Sequence, residues 1–317
     1  MQSDGGTFSF PTHFDGKRFF NPGGPSPRGF VDVLRWKFTS RPEPSPRYIA
    51  DVSPSKPPSQ VDTGQLVVTL VNHSTVLLQC RELHILTDPI WSERASPLAG
   101  FGPRRHRDPG VRWEDLPRID IVLLSHNHYD HLDLATLRRL AAPGESQFIV
   151  PTGVGRLLSS QKIGPVHELD WGESISRGLT RIHSVPAVHF SARGLFDRNS
   201  TLWCGYVLET PNGTVYYAGD TAFGGHFSAI RERFGAPRLA LLPIGAYQPR
   251  WFMSAVHMDP QEAVQAHEIL GAGTSIAIHH GTFQLADEAI DTPQNSLREC
   301  APESFVVLQN GQAMTVR

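Results

Sequence analysis

With 317 residues, 39% hydrophobic and 19% charged, the chain can bury a sizeable core as one large domain or as a domain with an extension. Its formal net charge of -2 provides no global basic field, so nucleic acid is not expected as a partner. Three cysteines, Cys80, Cys204 and Cys300, are an odd number without CxxC spacing, which argues against a cysteine-type zinc site or a disulfide framework and fits a reducing compartment.

No apolar run approaches the ~18 residues of a spanning helix. The N-terminus has no basic head followed by an apolar stretch, so a cytoplasmic location is expected, with peripheral attachment to a membrane left open. Residues 1–60 hold ten of the 26 prolines and are expected to form an extended arm wrapping a catalytic domain at 61–317. Inside the arm, VDVLRWKFTS carries Trp36 and Phe38 among basic residues. It reads as a short segment packed on the domain, or as an element resting on an anionic bilayer; the Phe19–Phe20 pair is a second candidate for such contact.

From residue 65 the pattern becomes β-branched and alternating: LVVTLVNHSTVLLQ and ELHILTDPI predict successive strands, and IDIVLLSH a strand buried on both faces. Asp133 is placed to cap a helix over Leu134, Leu137 and Leu140 that Pro143 ends. A strand at QFIVPT, a short helix near 153–161 and a strand at TRIHSVPAV follow. WCGYVLETPNGTVYYAGD predicts a hairpin about Pro211–Asn212–Gly213. A short helix near SAIRERFG leads to the strand RLALLPIG. Asp259, Pro260, Glu262 and Gly271 mark a capped helix, and SIAIHHG is a strand. FVVLQNGQAMTV is expected to close the chain as a hairpin. Strands and helices alternate in two halves, which predicts a layered α/β sandwich.

Fifteen histidines are the unusual bulk feature, and their placement matters more than their number. SHNHYDHLD sets His126, His128, Asp130 and His131 directly after a buried strand, the last two on the opening of the next helix. Three imidazoles and a carboxylate within six residues can serve two metal ions. His189, Asp220 and His279 each end a predicted strand, where the rim of a site would be built. A strand-end Asp or His taken alone more often caps a turn; their coincidence with the HxHxDH run raises all three.

These residues, together with HSTVLL, LTDPI, SERASP, GPRR, AGDT, PIGAYQPRWFM, HMDPQEAV and AIHHGTFQLADE, resemble the metallo-β-lactamase superfamily. The resemblance is closer still to its N-acylphosphatidylethanolamine-hydrolysing phospholipase D group. It implies the four-layer αββα fold, with one ion on His126, His128 and His189, a second on Asp130, His131 and His279, and Asp220 bridging. It also implies cleavage of N-acylphosphatidylethanolamine to N-acylethanolamine and phosphatidic acid, and a homodimer. His280 departs from the pattern, since the related lipases carry an aromatic residue there; the motif alignment favours His279 as the ligand, and alternation allows only one of the two to face the ions.

Nitrogen-rich ligands suit zinc, with iron and manganese open. Two such ions ~3.5–4 Å apart share a hydroxide that attacks a phosphodiester in line. Asp130 and His257 are the candidate catalytic residues, His257 for orienting the phosphate or protonating the leaving group. Asp88 is expected to hold a ligand imidazole in one tautomer, with a structural turn as its alternative. Tyr247, Arg250 and Trp251 are candidates for the substrate entrance, Arg250 for phosphate. A lactonase or soluble phosphodiesterase of the same superfamily is the first rival; a non-catalytic metal- or nucleic-acid-binding module is the second.

Overall fold

The structure is a computed structural model that describes residues 10–24, 28–81, 83–98, 100–194 and 196–316, the Phe30 side chain excepted. Positions 1–9 and 25–27 of the expected arm lie outside them. Two seven-stranded sheets are stacked face to face. The first holds β1 (Leu66–Asn72), β2 (Thr75–Cys80), β3 (Leu83–Thr87), β4 (Ile121–Leu123), β5 (Gln147–Pro151) and β6 (Val166–Leu169). The second holds β7 (Ser174–Arg177), β8 (Thr180–Val185), β9 (Gly205–Thr210), β10 (Gly213–Tyr217), β11 (Leu239–Pro243), β12 (Thr274–Ile278) and β13 (Phe305–Val306). The last strand, β14 (Ala313–Val316), returns to pair with β1. Each sheet begins as an antiparallel meander and continues in parallel order, β3 to β6 in one and β10 to β13 in the other. Parallel strands need crossovers, and helices supply most of them.

The helices are α1 (Phe30–Thr39), α2 (Leu134–Ala141), α3 (Gly155–Ser160), α4 (His226–Phe234), α5 (Arg250–Met253), α6 (Pro260–Leu270) and α7 (Thr292–Cys300). Strand alternation distributes the core into layers. Val68, Leu70, Leu78, Ile85 and Ile149 of the first sheet meet Ile182, Tyr206, Leu208, Leu241 and Ile276 of the second in the central layer. The opposite face of the first sheet, with Leu77, Leu86, Val122 and Phe148, is covered by Leu137 and Leu140 of α2 and Leu158 of α3. Tyr216, Ala240, Leu242 and Ala277 of the second sheet pack on Phe227, Ile230, Ala263, Ala266 and Leu297 of α4, α6 and α7. The result is the expected α/β sandwich of four layers, αββα.

Local signals landed well where they were explicit. Asp133 caps α2 by accepting from the Ala135 amide. Asp259 and Glu262 form a reciprocal capping box on α6, Pro260 opens it, and Gly271 closes it at φ 58°. Three expectations change. The terminal FVVLQNGQAMTV is no hairpin: β13 joins β12 while β14 crosses to β1 in the other sheet, with Leu308 buried in the layer between. Asp130 and His131 sit in a turn that precedes α2 rather than on its first turn. The proline-rich arm contains a ten-residue helix, α1, whose Gly29 start is capped by the Asp32 carboxylate. Prolines flank that segment and none falls inside it.

Candidate metal centre

Strands β3, β4, β8, β10 and β12 all end at one rim of the sandwich, and the loops beyond them carry the chemistry. Asp88 follows β3, His126 to His131 follow β4, His189 follows β8, Asp220 follows β10 and His279 follows β12. Gly219 makes the β10 turn possible: it sits at φ +61°, and a Cβ there would stand 2.7 Å from that of Ser125. His279 and, in the two-residue turn between β1 and β2, His73 adopt left-handed backbone at φ 58° and 48°. Such conformations are uncommon for residues other than glycine and are held here by pairing. The His279 amide donates to the His73 carbonyl at 2.9 Å, and the His73 amide donates to Thr282 Oγ1.

The donor atoms gather into two adjoining sets. His126 Nε2 lies 2.8 Å from His128 Nδ1, and His189 Nε2 lies 3.3 Å from the same atom. On the other side, His131 Nε2 and His279 Nε2 stand 3.1 and 3.3 Å from Asp130 Oδ2. Asp220 Oδ2 lies between the sets, 3.0 Å from His279, 3.2 Å from His131, 3.8 Å from His189 and 4.0 Å from His126. All seven side chains are buried or nearly so.

Tautomers follow from the outer nitrogens. His189 Nδ1 faces the Val256 carbonyl at 2.9 Å, His131 Nδ1 faces Asp88 Oδ2 at 2.6 Å, and His126 Nδ1 faces Ser125 Oγ at 2.9 Å. Each outer nitrogen therefore carries a proton; in the neutral His126 and His189 rings Nε2 brings a bare lone pair into the cluster, and His131 Nε2 would do so once an ion displaced its proton. Burial and the neighbouring imidazoles hold His126 well below its ordinary range and push His128 to about 3; burial, against the pull of Asp220, brings His189 to about 4. Against burial, Asp220 and Asp130 draw His279 up to about 9 and hold His131 well above its ordinary range, and both carboxylates stay well below the usual carboxylate range. Asp220 Oδ1 and His131 Nε2 are buried without a hydrogen-bond partner among the described residues. Converging lone pairs, two carboxylates and orphaned donor atoms form a cluster suited to divalent metal ions.

Two further groups complete the surroundings. Asp88 is fully buried and accepts from the Ser125 amide at 2.7 Å, Tyr217 hydroxyl at 2.5 Å, His131 Nδ1 and the Ser125 hydroxyl. That makes it a hub that orients His126 through Ser125 and His131 directly. His73, outside the ligand motif, places Nε2 3.0 Å from Asp130 Oδ2, and its ring lies tilted 4.2 Å from the His279 ring. Its signal was present: a histidine in a tight turn between two fully buried strands has no solvent to reach.

A cleft of about 290 Å³ opens over the cluster. His128, Asp130, Asp220, His257 and His279 form its floor, and its walls include Val33 and Trp36 of α1, Phe190, Phe252, Val256, Leu285 and Arg198. His257 is buried in that floor, 5.1 Å from the His189 ring, and among the described residues its Nδ1 has no hydrogen-bond partner. Trp36 stacks on Phe252 at 5.1 Å and donates Nε1 to Asp287, so α1 is a wall of the cleft. Tyr247, Arg250 and Trp251 are not brought to it. Tyr247 is buried beside Glu288. Arg250 is tied to Glu262 at 2.7 Å, Asp259 and the His257 carbonyl, and Trp251 lies under Arg35 at 4.8 Å. His279 faces the cluster and His280 faces away, its Nε2 3.3 Å from the Ala277 carbonyl. The left-handed turn at His279, which falls just past the end of β12, separates them rather than strand alternation.

Residues 84–280 match the family described as Beta-lactamase superfamily domain. The chain is 40% identical over 246 residues to N-acyl-phosphatidylethanolamine-hydrolyzing phospholipase D 1 of Caenorhabditis elegans, covering 74% of this chain and 69% of that protein. It is 36% identical over 226 residues to the mitochondrial N-acyl-phosphatidylethanolamine-hydrolyzing phospholipase D of Saccharomyces cerevisiae, covering 69% and 48%. Among solved structures, the metallo hydrolase Igni18 of Ignicoccus hospitalis superposes with a TM-score of 0.61 at 21% identity, over 80% of this chain and 99% of that one. At that identity the likeness shows the fold. Among the described residues, no helix is long and apolar enough to cross a membrane.

Proposed function

Because the chain belongs to the metallo-β-lactamase superfamily, as a metal-dependent hydrolase related to the N-acylphosphatidylethanolamine-hydrolysing phospholipases D, we propose that it is a binuclear phosphodiesterase that cleaves N-acylphosphatidylethanolamine to N-acylethanolamine and phosphatidic acid. The observation that carries this reading is an apolar cleft set directly over the two donor sets. A substrate for this site needs a hydrolysable polar centre with hydrocarbon attached.

In this reading His126, His128 and His189 would hold one ion and Asp130, His131 and His279 the other, with Asp220 available to both. The nitrogen-rich donor set favours zinc. Bound ions supply a nucleophile near neutral pH and Lewis-acid stabilisation of the developing charge. The protein's own part is positional. Asp88 and the Val256 carbonyl fix the imidazole tautomers, and the wall residues Phe190, Phe252 and Trp36 exclude water. His257, kept neutral by burial, offers beside the floor a ring nitrogen that is unpaired among the described residues, where it can bind a phosphate oxygen or hold a proton for the departing alkoxide.

The cleft is too small to enclose three acyl chains, so the lipid is met at a bilayer surface. The outer face of α1 supports that contact: Val31, Leu34 and Phe38 recur at helical spacing, with Val31 and Phe38 77% and 86% exposed, and Arg35, Lys37 and Arg41 lie exposed beside them. The test is hydrolysis of N-acylphosphatidylethanolamine in mixed micelles by metal-loaded protein, beside chelator-treated protein and Asp220→Asn. The expected result is N-acylethanolamine release that both controls abolish. Cleavage of a lactone or a soluble diester with no lipid product would overturn the substrate assignment.

A further inference from the structure

Among the described residues two arginines, Arg28 and Arg198, line the cleft; Arg28 is already engaged, as are Arg193 and Arg250 beyond its walls. Arg193 donates Nη1 to the Asn127 and Leu132 carbonyls and lies over Tyr129 at 3.9 Å. Arg250 is held by Glu262 and Asp259, and Arg28 donates to the Trp251 carbonyl. Arg198 is different. Its guanidinium lines the cleft and stacks 4.9 Å above the Phe190 ring, which in turn stands 4.6 Å from the His128 ring. Among the described residues its side chain has no carboxylate and no hydrogen-bond acceptor. Burial lowers its pKa, and no acid raises it back.

The loop around Arg198 is built so that this remains true. The neighbouring Asp197 turns both carboxylate oxygens to the Arg193 amide, with one also receiving the Gly194 amide. The Arg198 carbonyl accepts from Arg18, Asn199 exchanges hydrogen bonds with Phe19, and the Asn199 amide donates to Ser191. The arm thus fixes the backbone while the guanidinium points free into a partly desolvated wall. A half-buried planar cation without a protein partner keeps its donors available to an anion, and its fork matches the oxygens of a phosphate.

We propose that Arg198 selects the substrate's anionic headgroup, binding a phosphate oxygen at the cleft wall while the hydrocarbon lies against Trp36 and Phe252. This deepens the phosphodiesterase reading and replaces Arg250 as the phosphate contact. The test uses metal-loaded wild type, Arg198→Gln and Arg198→Lys. Calorimetry measures binding of monooctyl phosphate and of octanol, and initial rates are measured on bis(p-nitrophenyl) phosphate. At its lower end a charged hydrogen bond of this kind corresponds to roughly tenfold in affinity. Arg198→Gln is therefore expected to weaken octyl phosphate about tenfold and raise KM for the diester, with octanol binding, kcat, metal content and melting temperature unchanged. Arg198→Lys should recover part of the loss. Octyl phosphate binding equal to wild type in Arg198→Gln would overturn the proposal. If wild type cleaves no diester while Arg198→Gln still loses octyl phosphate, the phosphodiesterase reading falls and the anion contact stands.

Discussion

Replacing Asp88 by asparagine alters one oxygen of a fully buried carboxylate and should cost the protein its metal before its fold. Oδ1 accepts from the Ser125 amide at 2.7 Å, while Oδ2 receives His131 Nδ1, the Tyr217 hydroxyl and the Ser125 hydroxyl. An asparagine placed with its NH₂ toward His131 confronts three donors with a donor. The two hydroxyls can rotate to accept; the imidazole can relieve the clash only by moving its proton to Nε2, the atom that faces Asp220 and Asp130. Placed the other way, the NH₂ meets a backbone amide that cannot rotate. Each charged hydrogen bond lost is worth ~1.5–3 kcal/mol, and a lost partner to a metal-binding histidine typically lowers metal affinity ~10–100-fold. Since Ser125 links Asp88 to His126 as well, both donor sets should weaken. Competition against a chromophoric chelator, with metal stoichiometry by mass spectrometry, measures the loss, and near-ultraviolet circular dichroism checks the fold. Metal affinity within threefold of wild type in a folded Asp88→Asn protein would refute the tautomer argument.

His73→Ala should lower metal affinity about tenfold by freeing the Asp130 carboxylate, whereas His73→Gln should recover part of it through its amide; equal affinity in all three proteins would leave His73 a packing residue. Phe38→Asp should reduce binding to vesicles rich in anionic phospholipid several-fold while leaving the melting temperature and turnover of a soluble diester unchanged, because the side chain is 86% exposed; unchanged sedimentation with vesicles would remove α1 from the membrane contact. The arm's clasp on the domain should depend on pH. Burial opposes charge on His13, yet its bonds to Asp170 at 2.7 Å and the Pro11 carbonyl at 3.0 Å raise its pKa on balance, and the Asp170 pKa is lowered despite burial because His13 and the Trp171 amide outweigh it. The His13 contribution is complete below ~6.5 and lost as pH rises through the raised value, while that of Asp170 is complete above ~3.9 and lost as pH falls through the lowered one. Limited proteolysis of the arm should therefore be slower at pH 5.5 than at pH 8.5, and the difference should vanish in Asp170→Asn.

What could be read from the chain and what could not divide along a physical line. The α6 boundaries were legible because the Asp259–Glu262 capping box and the Gly271 turn are satisfied within a few residues of themselves. The seven donor residues were legible for a different reason: clustered imidazoles and carboxylates past buried strands have few uses other than holding a metal ion. The pairing of β14 with β1 was hidden, since nothing in AMTV distinguishes a partner ten residues away from one across the molecule. The arginines were hidden too. Arg250 and Arg198 are the same residue type, and only the fold brings Glu262 and Asp259 onto one and turns Asp197 away from the other. His73 lies between these cases. Its tight turn between buried strands was visible, but the carboxylate that explains it is 57 positions further on. The same backbone bond that joins His73 to His279 joins the first strand turn of one sheet to the last ligand loop of the other. Two strained histidines therefore meet at the seam between the halves, where a left-handed turn on either side lets both rings lean on Asp130.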